Sequence, residues 1–339
     1  MSDPTPQNNH DTARAGQDLD AVDVCVIIVS FNTCDLTLAC LRHLYAALDG
    51  ITSHVIVVDN ASSDGSVEAI TERFPQVDLV ASERNMGFGA ANNVGMRGGA
   101  GRYVLLLNSD AFVEPTAIGE LVDYLEKHPQ AAMVGPKLLN ADGSTQRSCF
   151  RYPTPARAWL ENTGIARLFK SRSRLGDYRN WAHDEAGTVD WAVGACLLVR
   201  REVIEQVGGF DERFFMYAEE TDWQKRISDV GWTIHFTPEA RVTHLGGASG
   251  ASDRAGINAH FFTSIDLYQS KHYGLIGLIC FRGAMVVGAL LRLPGWAVAY
   301  AVRPQCRAKA AGRMRRYAWL IHRQLLCWPA TAITSSRRS

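Results

Sequence analysis

Residues 22–59 read VDVCVIIVSFNTCDLTLACLRHLYAALDGITSHVIVVD. The run 22–30 is β-branched and apolar without alternation, the mark of a strand buried on both faces. Residues 35–49 carry apolar side chains at helical spacing, and 54–59 is a second buried run that ends in Asp59. Strand, helix and strand in this order make a β-α-β unit. The alternation continues with a helix near 64–74, a strand at 77–81, a Gly- and Asn-rich turn into a helix at 88–98, and a strong strand at 103–107. The expectation is an α/β fold built on a mostly parallel sheet with helices on both faces.

In such sheets ligands bind outside the carboxyl ends of the strands. Polar clusters follow three of those ends here: Ser30-Phe31-Asn32, Asp59-Asn60 and Asn108-Ser109-Asp110. Further along, the pattern predicts a helix at 115–128, a short strand near 132–135 and a turn at Asn140-Ala141-Asp142-Gly143. Residues 144–188 are rich in Arg and aromatics without clear periodicity and read as loops and short helices over one rim. Order returns with 189–200, a helix at 201–207, the Gly208-Gly209-Phe210-Asp211 turn, and 214–230, which places Glu219, Glu220, Asp222 and Trp223 near a helix start. Short strands at 232–236 and 241–244 follow.

The chain has 339 residues, 47% hydrophobic and 21% charged, with formal net charge zero. That zero hides an asymmetry. The last acid is Asp266, and 12 of the 35 Lys and Arg residues follow it, so residues 1–266 hold 23 bases against 35 acids. An acidic body argues against nucleic acid as a partner. The eight cysteines are scattered without a Cys-x-x-Cys pair, which indicates neither a zinc knuckle nor a disulfide framework. Residues 1–21 are polar with no apolar core and read as a disordered leader, not a signal peptide.

Nucleotide loops of familiar kinds are missing. There is no Gly-x-x-x-x-Gly-Lys-Ser/Thr, and Gly87-Phe88-Gly89 is followed by Asn92 where the dinucleotide fingerprint needs glycine. The stretch from Asp59 mimics a calcium loop but has Ile70 at its twelfth position. What remains is a set of carboxylates at strand ends and one helix start: Asp59, Asp64, Asp110, Glu219, Glu220 and Asp222, with His244 beyond them. A departing diphosphate needs such a site, because a divalent ion held by one or two carboxylates neutralises its charge, and a separate carboxylate must deprotonate an attacking hydroxyl. Each signal has an ordinary explanation when taken singly: Asp59-Asn60 as a turn, the glycines as punctuation, His244 as a packed side chain, Trp191 and Trp223 as core.

Seven stretches change that weighing: VIIVSFN (26–32), VVDNASSDGS (57–66), NMGFGAANNVG (85–95), LLLNSD (105–110), VGACLLVRR (193–201), GGFDERFFMYAEETDW (208–223) and VTHLGGAS (242–249). In order and spacing they resemble the inverting glycosyltransferases of family 2, in particular a rhamnosyltransferase-like branch that builds cell-surface glycans. The resemblance covers about two thirds of the chain and implies a GT-A fold with a Rossmann-like sheet over 22–250. It implies that Ser30, Asn32, Asp59, Asn60, Asp64, Asn85, Gly87, Phe88, Asn92, Asn108 and Ser109 bind the nucleotide-sugar, with Asp59 facing a uracil or thymine ring. Asp110 and His244 would hold Mg²⁺ or Mn²⁺, although Asn108 replaces the first acid of the family's Asp-x-Asp. Glu220 falls at the base position, usually Asp, with Glu219 and Asp222 as alternatives. Trp191, Gly194, Ala195 and Trp223 would shape the sugar and acceptor pocket.

The tail reads differently. Residues 274–302 are strongly apolar, yet Arg282, Arg292 and Pro294 break any clean span. The expectation for 251–339 is a helical, basic segment lying on the anionic inner face of the membrane, with an oligomerisation segment as the alternative. Together these readings predict a cytoplasmic, membrane-associated enzyme that moves a sugar, L-rhamnose from dTDP-rhamnose, to a lipid-linked or nascent glycan. A UDP-sugar donor and a catalytically silent glycan-binding scaffold are the competing readings.

Overall fold

In the computed structural model, residues 22–169, 178, 181–246 and 254–327 are described. The leader at 1–21 and part of the Arg- and aromatic-rich stretch 144–188 lie outside them. The opening unit is β1 (Val24–Ser30), α1 (Cys34–Ala47) and β2 (Ser53–Asp59), followed by α2 (Ser66–Arg73), β3 (Asp78–Ala81), α3 (Phe88–Gly98) and β4 (Tyr103–Asn108). β1 lies between β2 and β4, parallel to both. The register pairs Ser30 with Asp59 and Val29 with Asn108, so the three polar clusters emerge side by side. Alternate β1 residues explain why the run is continuously apolar. Val24, Val26 and Ile28 pack under α1, whereas Cys25 and Ile27 face the opposite layer.

The second half runs β5 (Ala111–Val113), α4 (Ala117–Lys127), β6 (Ala131–Leu139), β7 (Cys149–Phe150), α5 (Pro155–Thr163), β8 (Gly187–Val189), β9 (Trp191–Ala192), β10 (Cys196–Arg200), α6 (Arg201–Val207), α7 (Glu219–Asp229) and β11 (Thr233–His244). The nine-stranded sheet has the order β3-β2-β1-β4-β10-β6-β11-β5, with β8 paired to β11. Parallel pairing is confined to β3-β2-β1-β4 and to β6 with β11; β10 is antiparallel to both its neighbours, and β5 and β8 are antiparallel to β11. The sheet is therefore mixed rather than mostly parallel. The ordered stretch expected at 189–200 divides into the end of β8, β9 and β10, and the expected strand near 132–135 extends over Ala131–Leu139.

The antiparallel insertions build one rim. β10 starts where β4 ends, with Asn108 N–H donating to the Ala195 carbonyl at 2.9 Å. β11 ends beside the start of β5, pairing His244 with Ala111, and Leu245 N–H donates to the Asp110 carbonyl at 3.1 Å.

Two further helices follow, α8 (Arg254–Val302) and α9 (Arg307–Leu326). α8 is broken at Gly274, whose φ of 63° and ψ of −169° suit glycine alone. Its first half packs against the α/β body: Lys271 Nζ lies 2.7 Å from both Asp211 Oδ2 and Asp222 Oδ1. Its second half packs on α5 and α9. Arg282 and Arg292, expected to interrupt an apolar span, face protein instead. Arg282 is buried against Asp266 at 2.7 Å, and Arg292 donates to the Asn162 carbonyl at 2.8 Å at the end of α5. Ile276, Leu291, Val298 and Val302 remain on the exposed face. Among the described residues one helix, within 260–302, is long and apolar enough to cross a membrane.

Candidate active site

Asn60 organises the first wall. Its backbone N–H donates to the Ser30 carbonyl, continuing the strand pairing, while its side chain donates to Asn85 Oδ1 at 2.9 Å and accepts from Met86 N–H at 2.8 Å. Asn85 Oδ1 in turn accepts from Gly87 N–H. Gly87 has φ 85°, and a Cβ there would overlap the Phe215 carbonyl, to which Phe88 N–H donates at 3.0 Å. The loop 85–88 is thereby docked on residues 214–218. In that second segment Tyr217 and Ala218 both adopt positive φ immediately before α7, a strained entry that aims Glu219 and Glu220 inward.

The result is a cavity of about 280 Å³ lined by Asn60, Asn85, Gly87, Phe88, Asn108, Ser109, Asp110, Gly194, Ala195, Glu219, Glu220 and His244. Asp59 lies just behind it, buried: its Oδ1 accepts from Ser62 N–H at 2.8 Å, and its Oδ2 is buried without a hydrogen-bond partner. An orphaned buried acceptor of this kind is costly unless a ligand donor meets it, and the N–H of a pyrimidine ring is such a donor.

Asp110 and His244 meet at 3.3 Å between Oδ1 and Nε2. The surrounding bonds define the ring's proton. Gln146 Nε2 donates to the carbonyl of His244 and to Asn140 Oδ1, both at 3.1 Å, which leaves Gln146 Oε1 to accept from His244 Nδ1–H at 2.8 Å. Nε2 then faces the Asp110 carboxylate and also lies 3.4 Å from Asn108 Nδ2, so the three side chains converge on one corner that suits a cation. Asn108 Oδ1, buried without a partner, lies in the same corner. Among the described residues no third His, Cys, Asp or Glu joins them. One carboxylate, one imidazole and one amide oxygen suit a divalent ion whose other ligands come from a substrate diphosphate. Gln146 sits in the stretch where the sequence has no periodicity, so only its contact with His244 reveals it. Replacing it with Leu is expected to weaken Mn²⁺-dependent nucleotide binding ~10–100-fold, measured by calorimetry with and without chelator, while metal-free nucleotide binding stays unchanged.

Glu219 and Glu220 are both held above the ordinary glutamate range by burial, and Glu219 is pushed further by the neighbouring Glu220 charge. One oxygen of each is buried without a partner. Asp222 differs. Burial alone would raise it, but hydrogen bonds from His272 at 2.8 Å and Lys271 at 2.9 Å, together with Arg226 at 3.0 Å, hold it below the usual range. With its oxygens engaged by three basic groups and none of its surface exposed, Asp222 ties α7 to α8 and is not placed to act as a base.

Several other expected contact residues lie outside the cavity lining. Trp223 is fully buried, packs against Phe210 with the rings tilted by 40° and donates Nε1–H to the Gly208 carbonyl at 2.8 Å, so it belongs to the core. Ser30 is spent on the Thr33 and Thr37 hydroxyls, Asn92 on the Phe88 carbonyl of its own helix, and Asp64 on Cys34 N–H and Ser66. Asn32 accepts from Ser63 N–H at 2.8 Å, pinning the loop beside Asp59. These four side chains shape the pocket from behind.

Trp191 lines a second cavity, of about 330 Å³, together with Arg147, Phe150, Arg151, Tyr217, Glu220, Phe261 and Ile265. Tyr217 and Glu220 line both cavities, and Glu220 is the one carboxylate the two share among the described residues.

The sequence model of Glycosyl transferase family 2 matches residues 25–208, which hold the sheet ends and the loop 85–88. The chain belongs to glycosyltransferase family 2. This glycosyltransferase is 32% identical over 260 residues to N-acetylglucosaminyl-diphospho-decaprenol L-rhamnosyltransferase of Mycobacterium tuberculosis, covering 70% of the chain and 84% of that protein. It is 23% identical over 249 residues to the dTDP-rhamnosyl transferase RfbF of Shigella flexneri, covering 73% and 76% of the two chains. A mannosyltransferase from Pyrobaculum calidifontis, solved with GDP-mannose and Mn²⁺, superposes with a TM-score of 0.53 at 19% identity over 89% of the chain and 87% of its own, a likeness of GT-A fold. Glu219, Glu220 and His244 lie beyond the family match: His244 is joined to it by β11 of the sheet, and the two glutamates by the docking of loop 85–88 on the segment before α7.

Proposed function

We propose that this glycosyltransferase moves L-rhamnose from dTDP-rhamnose, with inversion, to the sugar of a polyprenyl-diphosphate-linked acceptor at the inner face of the membrane. The observation that carries the reading is Glu220, a carboxylate raised by burial at the junction of a nucleotide-sized cavity and a second, aromatic one. The relatives named for rhamnosyl transfer and for a decaprenyl-diphosphate acceptor supply the sugar and acceptor class.

An acceptor hydroxyl entering from the second cavity gives its proton to Glu220, and its oxygen bonds to the anomeric carbon. The bond from that carbon to the diphosphate oxygen breaks on the opposite side, and the electron pair leaves with dTDP toward Asp110 and His244. A single displacement of this geometry inverts the anomeric centre. A divalent ion held by Asp110 and His244, with Asn108 adjacent, would neutralise charge on the leaving diphosphate. Asp59 accepts from the pyrimidine ring, which suits thymine and uracil alike. Gly194 and Ala195 offer backbone close to the sugar. The second half of α8 lies on the bilayer through its exposed apolar face, with the exposed Arg307, Lys309, Arg313, Arg315 and Arg316 of α9 meeting anionic lipid.

Thermal stabilisation tests the donor assignment, because ligands that bind the native state raise its melting temperature by mass action. With dTDP, UDP, GDP and their common sugars, each with and without Mn²⁺, the largest Mn²⁺-dependent shift is expected for dTDP-rhamnose. A larger shift with a UDP-sugar would reassign the donor, and no response to any nucleotide would favour a silent scaffold.

A further inference from the structure

The second cavity changes chemical character from one end to the other. Glu220 and Thr221 close the inner end at the junction with the nucleotide cavity. Next comes an aromatic wall, Trp191 stacked on Phe150 with centroids 4.9 Å apart and planes at 22°, its indole fixed by a 3.0 Å bond to the Arg151 carbonyl. Arg147 stands over the Phe150 ring at 4.5 Å, exposed, with Arg151 beside it. Arg151 is anchored by Asp190 at 2.7 Å, which fixes its guanidinium in place. The rest of the lining combines Phe261 and Ile265 of α8, one turn apart, with Pro153, Tyr217 and Ala218 and with Glu161 of α5, whose carboxylate lies 3.9 Å from Arg157 on its own helix. Beyond the break at Gly274 the same helix exposes Leu275, Ile276 and Ile279.

A carboxylate, a flat aromatic surface, a guanidinium pair and an apolar helix face match a hydroxyl, the C–H face of a pyranose, a diphosphate and a lipid chain. We propose that the second cavity is the subsite for a lipid-diphosphate-linked sugar, in which Arg147 binds the diphosphate, Trp191 and Phe150 seat the sugar, and Phe261 and Ile265 start the lipid's path along α8. The assignment rests on the acceptor class proposed above and names the residues of this chain that recognise it. Arginine suits the role because its planar donors meet phosphate oxygens in pairs, and its place on Phe150 limits the rotamer freedom lost on binding. An α/β body alone would leave this cavity without its apolar side, because Phe261 and Ile265 belong to α8.

Binding is measured with full-length protein in neutral detergent, read as quenching of tryptophan fluorescence and checked by calorimetry. The probes are a synthetic alkyl-diphosphate N-acetylglucosamine, the matching alkyl glycoside without the diphosphate, and inorganic diphosphate. The alkyl-diphosphate sugar is expected to bind at least 10-fold more tightly than the glycoside, with Arg147→Gln removing that advantage and Phe261→Asp weakening both alkyl probes. dTDP-induced stabilisation should be unaltered in both variants, which also reports that they fold. Equal affinity for the two alkyl probes, or an Arg147→Gln variant that keeps the preference, would overturn the subsite. So would inorganic diphosphate competing as well as the alkyl-diphosphate sugar, since the lipid and sugar would then contribute nothing. If the Arg147-dependent binding holds while no rhamnose is transferred to the bound probe, the subsite stands and the rhamnosyl-transfer reading fails.

Discussion

Glu220→Gln is expected to lower the rate of sugar transfer by ~10²–10⁴-fold, the range lost when a positioned general base is removed. Nucleotide-sugar binding should survive, since Asp59, the loop 85–88 and the Asp110–His244 pair are untouched. In the parent enzyme kcat/KM should climb with pH as Glu220 loses its proton, with a midpoint above that of an ordinary glutamate because burial disfavours the charged form. Stability moves in the opposite direction. A carboxyl whose folded pKa is raised contributes stability below its unfolded pKa, near 4.3 for glutamate, and loses it as pH rises through the folded value. Removing the charge at Glu220 also relieves Glu219, so the Gln variant should melt at or above the parent temperature at pH 8. Loss of transfer together with a lower melting temperature would point to misfolding, and retained transfer would exclude Glu220 as the base.

Asp266→Ala should be the most damaging substitution outside the active site, costing about 3–5 kcal/mol, the price of stranding a buried charge. Asp266 is fully buried and accepts from Arg282 at 2.7 Å and Arg323 at 3.1 Å, joining both halves of α8 to α9. Its removal leaves the buried Arg282 guanidinium without its counter-charge among apolar neighbours such as Phe281 and Ala284. Hydrogen exchange in α9 should accelerate first, because this latch holds that helix to the rest. The sheet should be affected least. Unchanged exchange in α9 would show that apolar packing alone holds the three helices together.

The parallel half of the fold was legible because buried strands and amphipathic helices write their period into the sequence. Direction is not written there. The run 196–200 reads as a strand, yet nothing local distinguishes parallel from antiparallel pairing, and its antiparallel placement beside β4 converts a parallel sheet into a mixed one. Site residues at strand ends were legible for the same reason as the strands. Asp110 and His244, 134 positions apart, meet because β5 and β11 pair. Sequence patterns could not separate the three acids at the start of α7. Lys271 and His272, the partners that disqualify Asp222, lie some fifty residues away in α8. Arg147 and Gln146 fall in an aperiodic stretch whose conformation is set by what it touches. The arginines of α8 were visible but their direction was not: the same charge that argues against a span when it faces lipid serves as a cross-link when it faces Asp266 or the end of α5.

The break at Gly274 bears on how such enzymes can be recombined. Residues on its N-terminal side hold Asp222, wall the second cavity and donate Ser264 Oγ–H to the Met216 carbonyl at 2.8 Å, whereas residues on its C-terminal side pack on α5 and α9 and reach back across the break through Arg282 to Asp266. A graft joined at residue 250 would take Phe261 and Ile265 from the second cavity and leave the buried Asp222 without Lys271 and His272. A graft joined at Gly274 would keep the lining of the second cavity, but it would have to replace Arg282 and Arg323, the partners of the buried Asp266. A seam at Gly274 thus lies inside a helix, later in the chain than the change in sequence composition would place it, and it works only if the cations around Asp266 are carried across it.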